Sequence, residues 1–369
     1  MKCSPQMLRG SLLVIVLACF SAANATAQKI TKYFYRNAPY GSDAVFNPVS
    51  LILNGGFDEL QIYGHANRLS EVPWASAGRN VWKNITSPWT QIRLYGWERF
   101  LRQEVFPLGL STDEAQYFPN YTLHLIGGGM VYRKTWEWYD EYGWPLAPVW
   151  AAASAMAYHY VNEIVENGKA DGFFSNVDPI ADLLIFDPLG IVLFSFDGVA
   201  EFFSTSVKLN EWSCQPAVSL SPFGIHNTAQ NFVLKYPITA SGRTSLFYHF
   251  GAFGILGLSF STGSEDALSF GLGLSSKKIY VADIRNGTVT YSIVVGPIGG
   301  LYYDRSNSLL ASLVVSDSFT DIVRMNVYPG LIHLGPVSPG VFLSAGERGR
   351  LTAGVTASFL PAGLSGHHP

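Results

Sequence analysis

The residues best suited to chemistry are histidines and acids set within apolar helical stretches in the middle of the chain. His159 and Glu163 are four residues apart, which places both on one face of a helix. Asp178 and Asp182 repeat that spacing in a later stretch, and His124 belongs to an earlier one. If the three helices pack together, an imidazole and a buried carboxyl can exchange protons, or several of these groups can bind a metal ion.

Two candidate sets follow from these side chains. The acid–base set is His124, Glu163 and Asp178, and the metal set is His159, Glu163 and Asp182. The same residues also suit a buried hydrogen-bond network that holds the helices in register. The H-E-x-x-H, G-x-S-x-G and GxxxxGK[ST] patterns are missing, so no reaction is assigned and no cofactor is predicted. Whether the chain is an enzyme is left open.

Three helical runs between Asn120 and Phe203 position these groups. They contain the segments LHLIGGGMVY, AAASAMAYHYVNEIVENG and DPIADLLIFDPLGIVLF. Three glycines in a row, Gly127 to Gly129, cost about 1 kcal/mol each in a helix, so we expect them to permit close backbone contact with a neighbouring helix. Upstream, the spacing of apolar residues predicts an amphipathic helix within Trp82–Phe106, with Ser87 as N-cap and Pro88 in the first turn. Residues 28–80 are predicted to be largely irregular, apart from one strand-like or short helical piece around Leu51–Asn54.

From about residue 213 the apolar pattern changes to a period of two, which is typical of strands. The stretches Leu268–Ser275, Thr288–Val295 and Leu351–Phe359 alternate apolar residues with serine, threonine or glycine. Asn286-Gly287 predicts a hairpin turn. We count about eight to ten strands, several long enough to cross a bilayer when tilted. Small polar residues on one face suit a barrel interior, although a soluble β-sandwich also alternates.

The predicted fold class is therefore α+β. A helical envelope module (residues 28–210) is followed by an antiparallel β-barrel of about eight to ten strands (residues 213–360). Apolar residues make up 48% of the 369 residues and charged residues only 14%. The net charge of −3 argues against nucleic acid as a partner.

The first 27 residues are predicted to be a secretory signal peptide. Lys2 and Arg9 precede a short apolar core, and Ala25-Thr26-Ala27 has the A-x-A form of a cleavage site. Lipoprotein processing at Cys19 is an alternative. Cleavage after Ala27 removes Cys3 and Cys19 and leaves Cys214 as the one cysteine, so no internal disulfide is expected.

Part of the chain resembles a known family. The order LHLIGGGMVY, then Asn162-Glu163, then SNVDPIADLLIFDPLGIVLF is similar to the teicoplanin-resistance (VanZ-like) family over residues 120–200. The resemblance implies that His124, Glu163 and Asp178 occupy that family's polar positions on membrane-associated helices, without implying a reaction. The chain departs from it by an insertion from Asp182 to Pro188 and by the β domain.

The segment TAGVTASF (Thr352–Phe359) resembles the terminal signal of bacterial outer-membrane barrels, although ten residues follow it. This implies the barrel-assembly machinery and outer-membrane lipid as partners. We therefore predict a bacterial outer-membrane protein with a structural or lipid-interacting role, whose helical module lies on the periplasmic side. One alternative is an envelope enzyme that acts on lipid or a lipid-linked glycan. The other is a soluble periplasmic protein that binds a small molecule.

Overall fold

The computed structural model describes residues 30–62, 69–107, 119–167, 176–263, 265–285, 288–358 and 360–368. The predicted signal peptide, Cys19, the Asn286-Gly287 turn and Phe359 lie outside these ranges. Within them the chain is α+β, as predicted, with helices before residue 207 and strands after residue 209.

Helices form most of the first half. The α-helices are α1 (Gly41–Val45), α2 (Pro48–Phe57), α3 (Trp74–Thr86), α4 (Pro88–Tyr95), α5 (Trp97–Phe100), α6 (Gly129–Glu141), α7 (Ala147–Asn167), α8 (Asp178–Ala181), α9 (Asp187–Phe194) and α10 (Asp197–Glu201). Four π-helical segments adjoin them: Leu101–Val105, Pro119–Gly128, Asp182–Phe186 and Phe202–Ser206. Short 3₁₀ helices cover Asp58–Gln61, Leu69–Glu71 and Glu347–Gly349.

The helical predictions upstream are confirmed in part. The short helical piece expected around Leu51–Asn54 belongs to α2, whose N-cap Asn47 has a complete capping box: Asn47 accepts from the Ser50 backbone and Ser50 accepts in return. The helix start expected at Ser87 and Pro88 is that of α4, but the helical stretch from Trp82 to Phe106 is not continuous, because it is broken between Thr86 and Pro88 and again at Gly96. Proline cannot donate the helical hydrogen bond, and Gly96 has a positive φ of 106°.

The second half forms one sheet. Its strands are β1 (Asn210–Glu211), β2 (Ala217–Leu220), β3 (Phe223–His226), β4 (Phe232–Pro237), β5 (Thr244–Phe250), β6 (Phe253–Ser261), β7 (Asp266–Arg285), β8 (Thr288–Arg305), β9 (Ser308–Ser316), β10 (Asp321–Val327), β11 (Pro339–Gly346), β12 (Leu351–Ala357) and β13 (Gly363–His368). The hydrogen-bonded order is β1-β4-β5-β6-β7-β8-β9-β10-β11-β12-β13-β2-β3. All pairs are antiparallel except β13 with β2.

The sheet corrects the predicted barrel in two respects. In the described residues it has 13 strands rather than eight to ten, and its ladders do not close into a barrel. The count was low because β1 to β3 are only two to four residues long, too short to show a period of two, and because β13 follows the stretch taken as terminal. The two ends of the order, β1 and β3, belong to one irregular hairpin, in which Trp212 N donates to Asn231 O and Cys214 N to Ala229 O.

The helices pack against one edge region of the sheet. Met130, Tyr158 and Phe194 form a buried cluster with Phe232 of β4 and Phe250 of β5. Phe232 and Phe250 lie on the same face of the sheet as Tyr236, which is exposed at the far end of β4. The helical module therefore covers one end of a strand face that is otherwise left uncovered.

A buried ionic group joins the helices to the sheet. Lys134 of α6 is fully buried, and its Nζ lies 2.8 Å from Asp43 Oδ1 and 3.2 Å from Glu211 Oε2. Arg36 also reaches Asp43, at 2.6 Å. Because Asp43 precedes the helical core and Glu211 opens the sheet, this group connects three distant parts of the chain.

Among the described helices, none is long and apolar enough to span a membrane on its own. One pair meets the length and composition together, Asp178–Phe194 with Asp197–Ser206, and it is bent by 89°.

Candidate functional site

The histidines and acids singled out in the sequence come from three helical segments that pack together. His124 lies on the π-helix Pro119–Gly128, and His159 and Glu163 lie on α7. Asp182 opens the second π-helix and Asp187 opens α9 directly after it. Both segments that meet α7 are thus π-helical at the cluster, a rare geometry that occurs frequently at functional sites.

The closest contacts run through His124. Its Nδ1 is 3.0 Å from Asp187 Oδ1, and its Nε2 is 3.3 Å from Asp182 Oδ2. On the other side of Asp187, His159 Nε2 lies 3.2 Å from the same Oδ1 atom. The two imidazole rings are 4.6 Å apart. The ligand atoms form two groups, each within 4.8 Å: His124 with His159 and Asp187, and His124 with Glu163 and Asp182.

All members of the cluster are buried. His124 is 6% exposed, His159 4%, and Glu163 is fully buried. Despite this, His159 Nε2, Asp182 Oδ1 and Asp187 Oδ2 have no hydrogen-bond partner within the described residues. Buried polar atoms are nearly always paired with protein or ordered water, so these three atoms point to a further species at the site.

A small cavity adjoins the two histidines. It has a volume of about 30 Å³, and its lining includes both imidazoles together with Tyr158 and Phe232. That volume is enough for a water molecule or an ion and far too small for a lipid headgroup or a sugar.

Burial and mutual repulsion control the protonation of the cluster. Burial lowers the pKa of His159 well below its ordinary value, with His124 as a second cause, so His159 is neutral at pH 7. Burial also raises the pKa values of Glu163 and Asp182 well above the usual range, and Asp178 raises both further. The pKa of Asp187 is raised by burial, although His124 acts against the shift.

Asp178 lies at the edge of the cluster beside an acid that the sequence did not single out. Asp178 is buried at the first position of α8, and it hydrogen-bonds with Glu104. Glu104 also accepts a hydrogen bond from the Tyr95 hydroxyl at 3.0 Å, and burial raises its pKa. Nothing in the sequence marked Glu104, because it reads as one charged residue of an amphipathic helix.

The predicted backbone contact with a neighbouring helix is confirmed at Gly129, where a Cβ would lie 2.8 Å from Gly190 O of α9; side chains crowd all three glycines. A Cβ on Gly127 would lie 2.6 Å from the ring of Phe232, and one on Gly129 would lie 2.4 Å from Phe194. A Cβ on Gly128 would lie 2.8 Å from His159 Nε2. The absence of a side chain at Gly128 is therefore what lets the His159 imidazole reach the cluster.

Replacing Gly128 by alanine is expected to displace the His159 ring and to destabilise the protein by about 1–3 kcal/mol, the usual cost of overpacking. The measurement is the thermal unfolding midpoint of the purified protein. Gly198→Ala is the matched control, because a Cβ at that helical glycine meets nothing within 4 Å. Equal midpoints for the two variants would contradict the contact between Gly128 and His159.

The structure brings His124, Glu163 and Asp182 together, and Asp178 is adjacent through Glu104 and its effect on Glu163. The predicted metal set of His159, Glu163 and Asp182 does not form one ligand group in the described residues, because His159 meets His124 and Asp187 instead. The structure adds Asp187, which the sequence showed on the same stretch without assigning it a role. Cys214 is buried and free, far in sequence from these groups.

No protein-family model, curated protein or solved structure matches this chain. The resemblance of residues 120–200 to the VanZ-like family therefore stays a prediction.

Proposed function

We propose that this chain is a bacterial outer-membrane protein whose sheet faces lipid and anchors the helical module, with a structural or lipid-interacting role. The observation that carries the proposal is the large apolar face that the sheet leaves exposed. Along its strands one set of large apolar residues points outward to an uncovered face, while the opposite face combines buried polar and charged side chains with an aromatic cluster around Phe247 and Tyr302.

The exposed face is continuous from strand to strand. Leu272 of β7 is 77% exposed, and its register partner Leu256 on β6 is 57% exposed. Further exposed apolar residues of this face are Leu246, Leu268, Phe270, Leu274, Leu301, Leu313, Met325, Leu343, Val355 and Leu364. Soluble monomers rarely expose an apolar surface of this extent, whereas lipid-facing strands require one.

The opposite face buries hydrogen-bonding and charged groups. Ser269 Oγ donates to Ser259 Oγ at 2.8 Å across β6 and β7, the two serines being register partners. Lys235 of β4 pairs with Asp304 of β8, and Arg324 of β10 donates to Gln61 Oε1 at 2.7 Å. A polar interior of this kind is typical of outer-membrane barrels.

A sheet in lipid must leave no unpaired edge. The ends of the strand order, β1 and β3, lie within one stretch of chain, in which Trp212 N donates to Asn231 O and Cys214 N to Ala229 O and so extends the pairing of β1 with β4. Trp212, Phe247, Tyr302 and Tyr328 pack together on the inner face, which supports an anchoring role rather than an open pore.

One observation argues against each of the two alternative functions, the envelope enzyme and the soluble periplasmic protein. An enzyme that acts on lipid or a lipid-linked glycan through His124 and Glu163 needs more room than the 30 Å³ cavity beside the histidines. A soluble periplasmic protein would leave the Leu256 and Leu272 face in water, at a cost of about 25 cal/mol per Å² of apolar surface.

Outer-membrane fractionation tests the proposal. We expect the protein to stay in the membrane after carbonate washing and to migrate faster on gels when it is not boiled, because a fully hydrogen-bonded sheet resists detergent. The boiled sample of the same preparation is the control. Release by carbonate together with identical mobility before and after heating would overturn the membrane assignment.

A further inference from the structure

We propose that the buried cluster binds one divalent first-row transition metal ion through His124 Nδ1, His159 Nε2 and Asp187, with water at the remaining position. This inference does not depend on where the sheet resides.

The spacing of the three groups fits a metal ion. Ligands at the usual ~2.0–2.2 Å around a tetrahedral ion lie about 3.3 Å from one another. Asp187 Oδ1 is 3.0 Å from His124 Nδ1 and 3.2 Å from His159 Nε2. Small shifts of side chains already in place would therefore complete the coordination, and Asp187 Oδ2 is a second oxygen without a hydrogen-bond partner in the described chain.

The second nitrogen of His124 supports this choice of ligands. With Nδ1 on the metal, Nε2 carries the proton and donates to Asp182 Oδ2, 3.3 Å away. A carboxylate that accepts from the far nitrogen of a metal-bound histidine is the usual second partner in such sites. Glu163 hydrogen-bonds with Asp182 and is not a member of the group formed by His124, His159 and Asp187, so we assign it to this outer layer.

Charge balance points the same way. Among the described residues, the ion pairs of Asp182 and Asp187 are with histidine only, and no lysine or arginine reaches them. A carboxyl group buried without a cation tends to keep its proton, and a divalent ion within the cluster would take the place of that proton and pair with the carboxylate. Imidazole with carboxylate is a ligand set that suits Zn²⁺, Fe²⁺ and related ions better than Ca²⁺ or Mg²⁺.

The cavity beside the two histidines supplies the open position. Its volume of about 30 Å³ accepts one water molecule. Three protein ligands with a water-accessible fourth position distinguish catalytic and transport sites from closed structural ones.

Cobalt titration of the complete, detergent-purified protein tests the proposal. After removal of bound metal with a chelator, Co²⁺ should bind at one equivalent, give the ligand-field absorption of a mixed nitrogen–oxygen site, and be displaced by Zn²⁺. His159→Gln and Asp187→Asn should each abolish stoichiometric binding. Asp182→Asn should keep the stoichiometry and weaken the affinity by about 10–100-fold, as expected for an outer-layer partner.

The control is His367→Gln, which removes a member of a separate histidine pair, His226 with His367, whose rings are stacked. It should leave Co²⁺ binding unchanged. Failure of the wild-type protein to bind Co²⁺ or Zn²⁺, or binding that survives both His159→Gln and Asp187→Asn, would overturn the site. If those variants do not fold, X-ray absorption spectroscopy of the wild-type cobalt complex tests the site instead. A spectrum that shows fewer than two imidazole ligands on the cobalt would contradict the assignment. Failure of membrane fractionation would leave these outcomes unaffected.

Discussion

Replacing Leu272 by arginine is expected to destabilise the folded, membrane-inserted state by about 2–4 kcal/mol if this part of β7 lies near the bilayer midplane. Leu272 is the most exposed large residue on the central strands, and exposed Phe270, Leu274 and Leu256 surround it. A change of 2 kcal/mol is about 30-fold in the equilibrium constant. The measurement is refolding into lipid vesicles, followed by the heat-dependent gel shift.

The expected result separates lipid from water as the environment of this face. In water, a substitution at so exposed a position would change stability by no more than about 0.5 kcal/mol. Leu272→Ala removes the same side chain without adding charge, and Ser241→Arg adds the same charge in the turn between β4 and β5. Both should refold close to the wild-type level. If Leu272→Arg matches them, the outer face of β7 is not in lipid.

Replacing Lys134 by methionine is expected to destabilise the protein by about 3–5 kcal/mol at neutral pH. Lys134 is fully buried between Asp43 and Glu211, so its loss leaves two buried acids without their main cation. The effect should be large because this group connects α6, α1 and β1. The measurement is the free energy of unfolding in detergent with urea.

The pH dependence of this loss has a defined sign. Burial alone would raise the pKa of Asp43, but Lys134 and Arg36 outweigh it and lower that pKa below its ordinary value. A carboxyl with a lowered pKa contributes stability above its unfolded pKa of about 3.9, and the contribution is lost as the pH falls through the folded pKa. The difference between wild type and Lys134→Met should therefore be largest near neutral pH and shrink below about pH 4.

Arg36→Gln is the matched control for this prediction. Arg36 contacts the same carboxylate, but its side chain is 37% exposed, so its removal should cost about 1 kcal/mol or less. Equal costs for the two variants, or a cost of Lys134→Met that does not change with pH, would contradict the role of Lys134 as the buried counter-charge.

The sheet shows how far a local pattern reaches. Alternation around Leu268–Ser275 correctly placed serine and glycine on one face and leucine on the other, because successive side chains of a strand point to opposite sides. The number of strands did not follow from that pattern. A strand of two residues such as β1 is defined by the hydrogen bonds that β4 supplies, and β2 pairs with β13 as well as with its neighbour β3. The residues of a short strand do not by themselves identify the distant strand with which it pairs.

The His/Glu/Asp cluster, like the sheet, could be predicted from the sequence only in part. The sequence by itself determined which groups could act, since His159 and Glu163 share one face of α7 and Gly128 leaves room beside it. Only the tertiary structure decided that His124 meets Asp187, 63 residues away, and that Asp187 rather than Glu163 lies between the two histidines. The physical reason lies in the π-helical turns before Gly129 and Asp187. A π-helical turn changes the direction in which the following side chains point, relative to a regular α-helix. Tertiary packing determines where such a turn forms, and the periodicity of the sequence does not predict it.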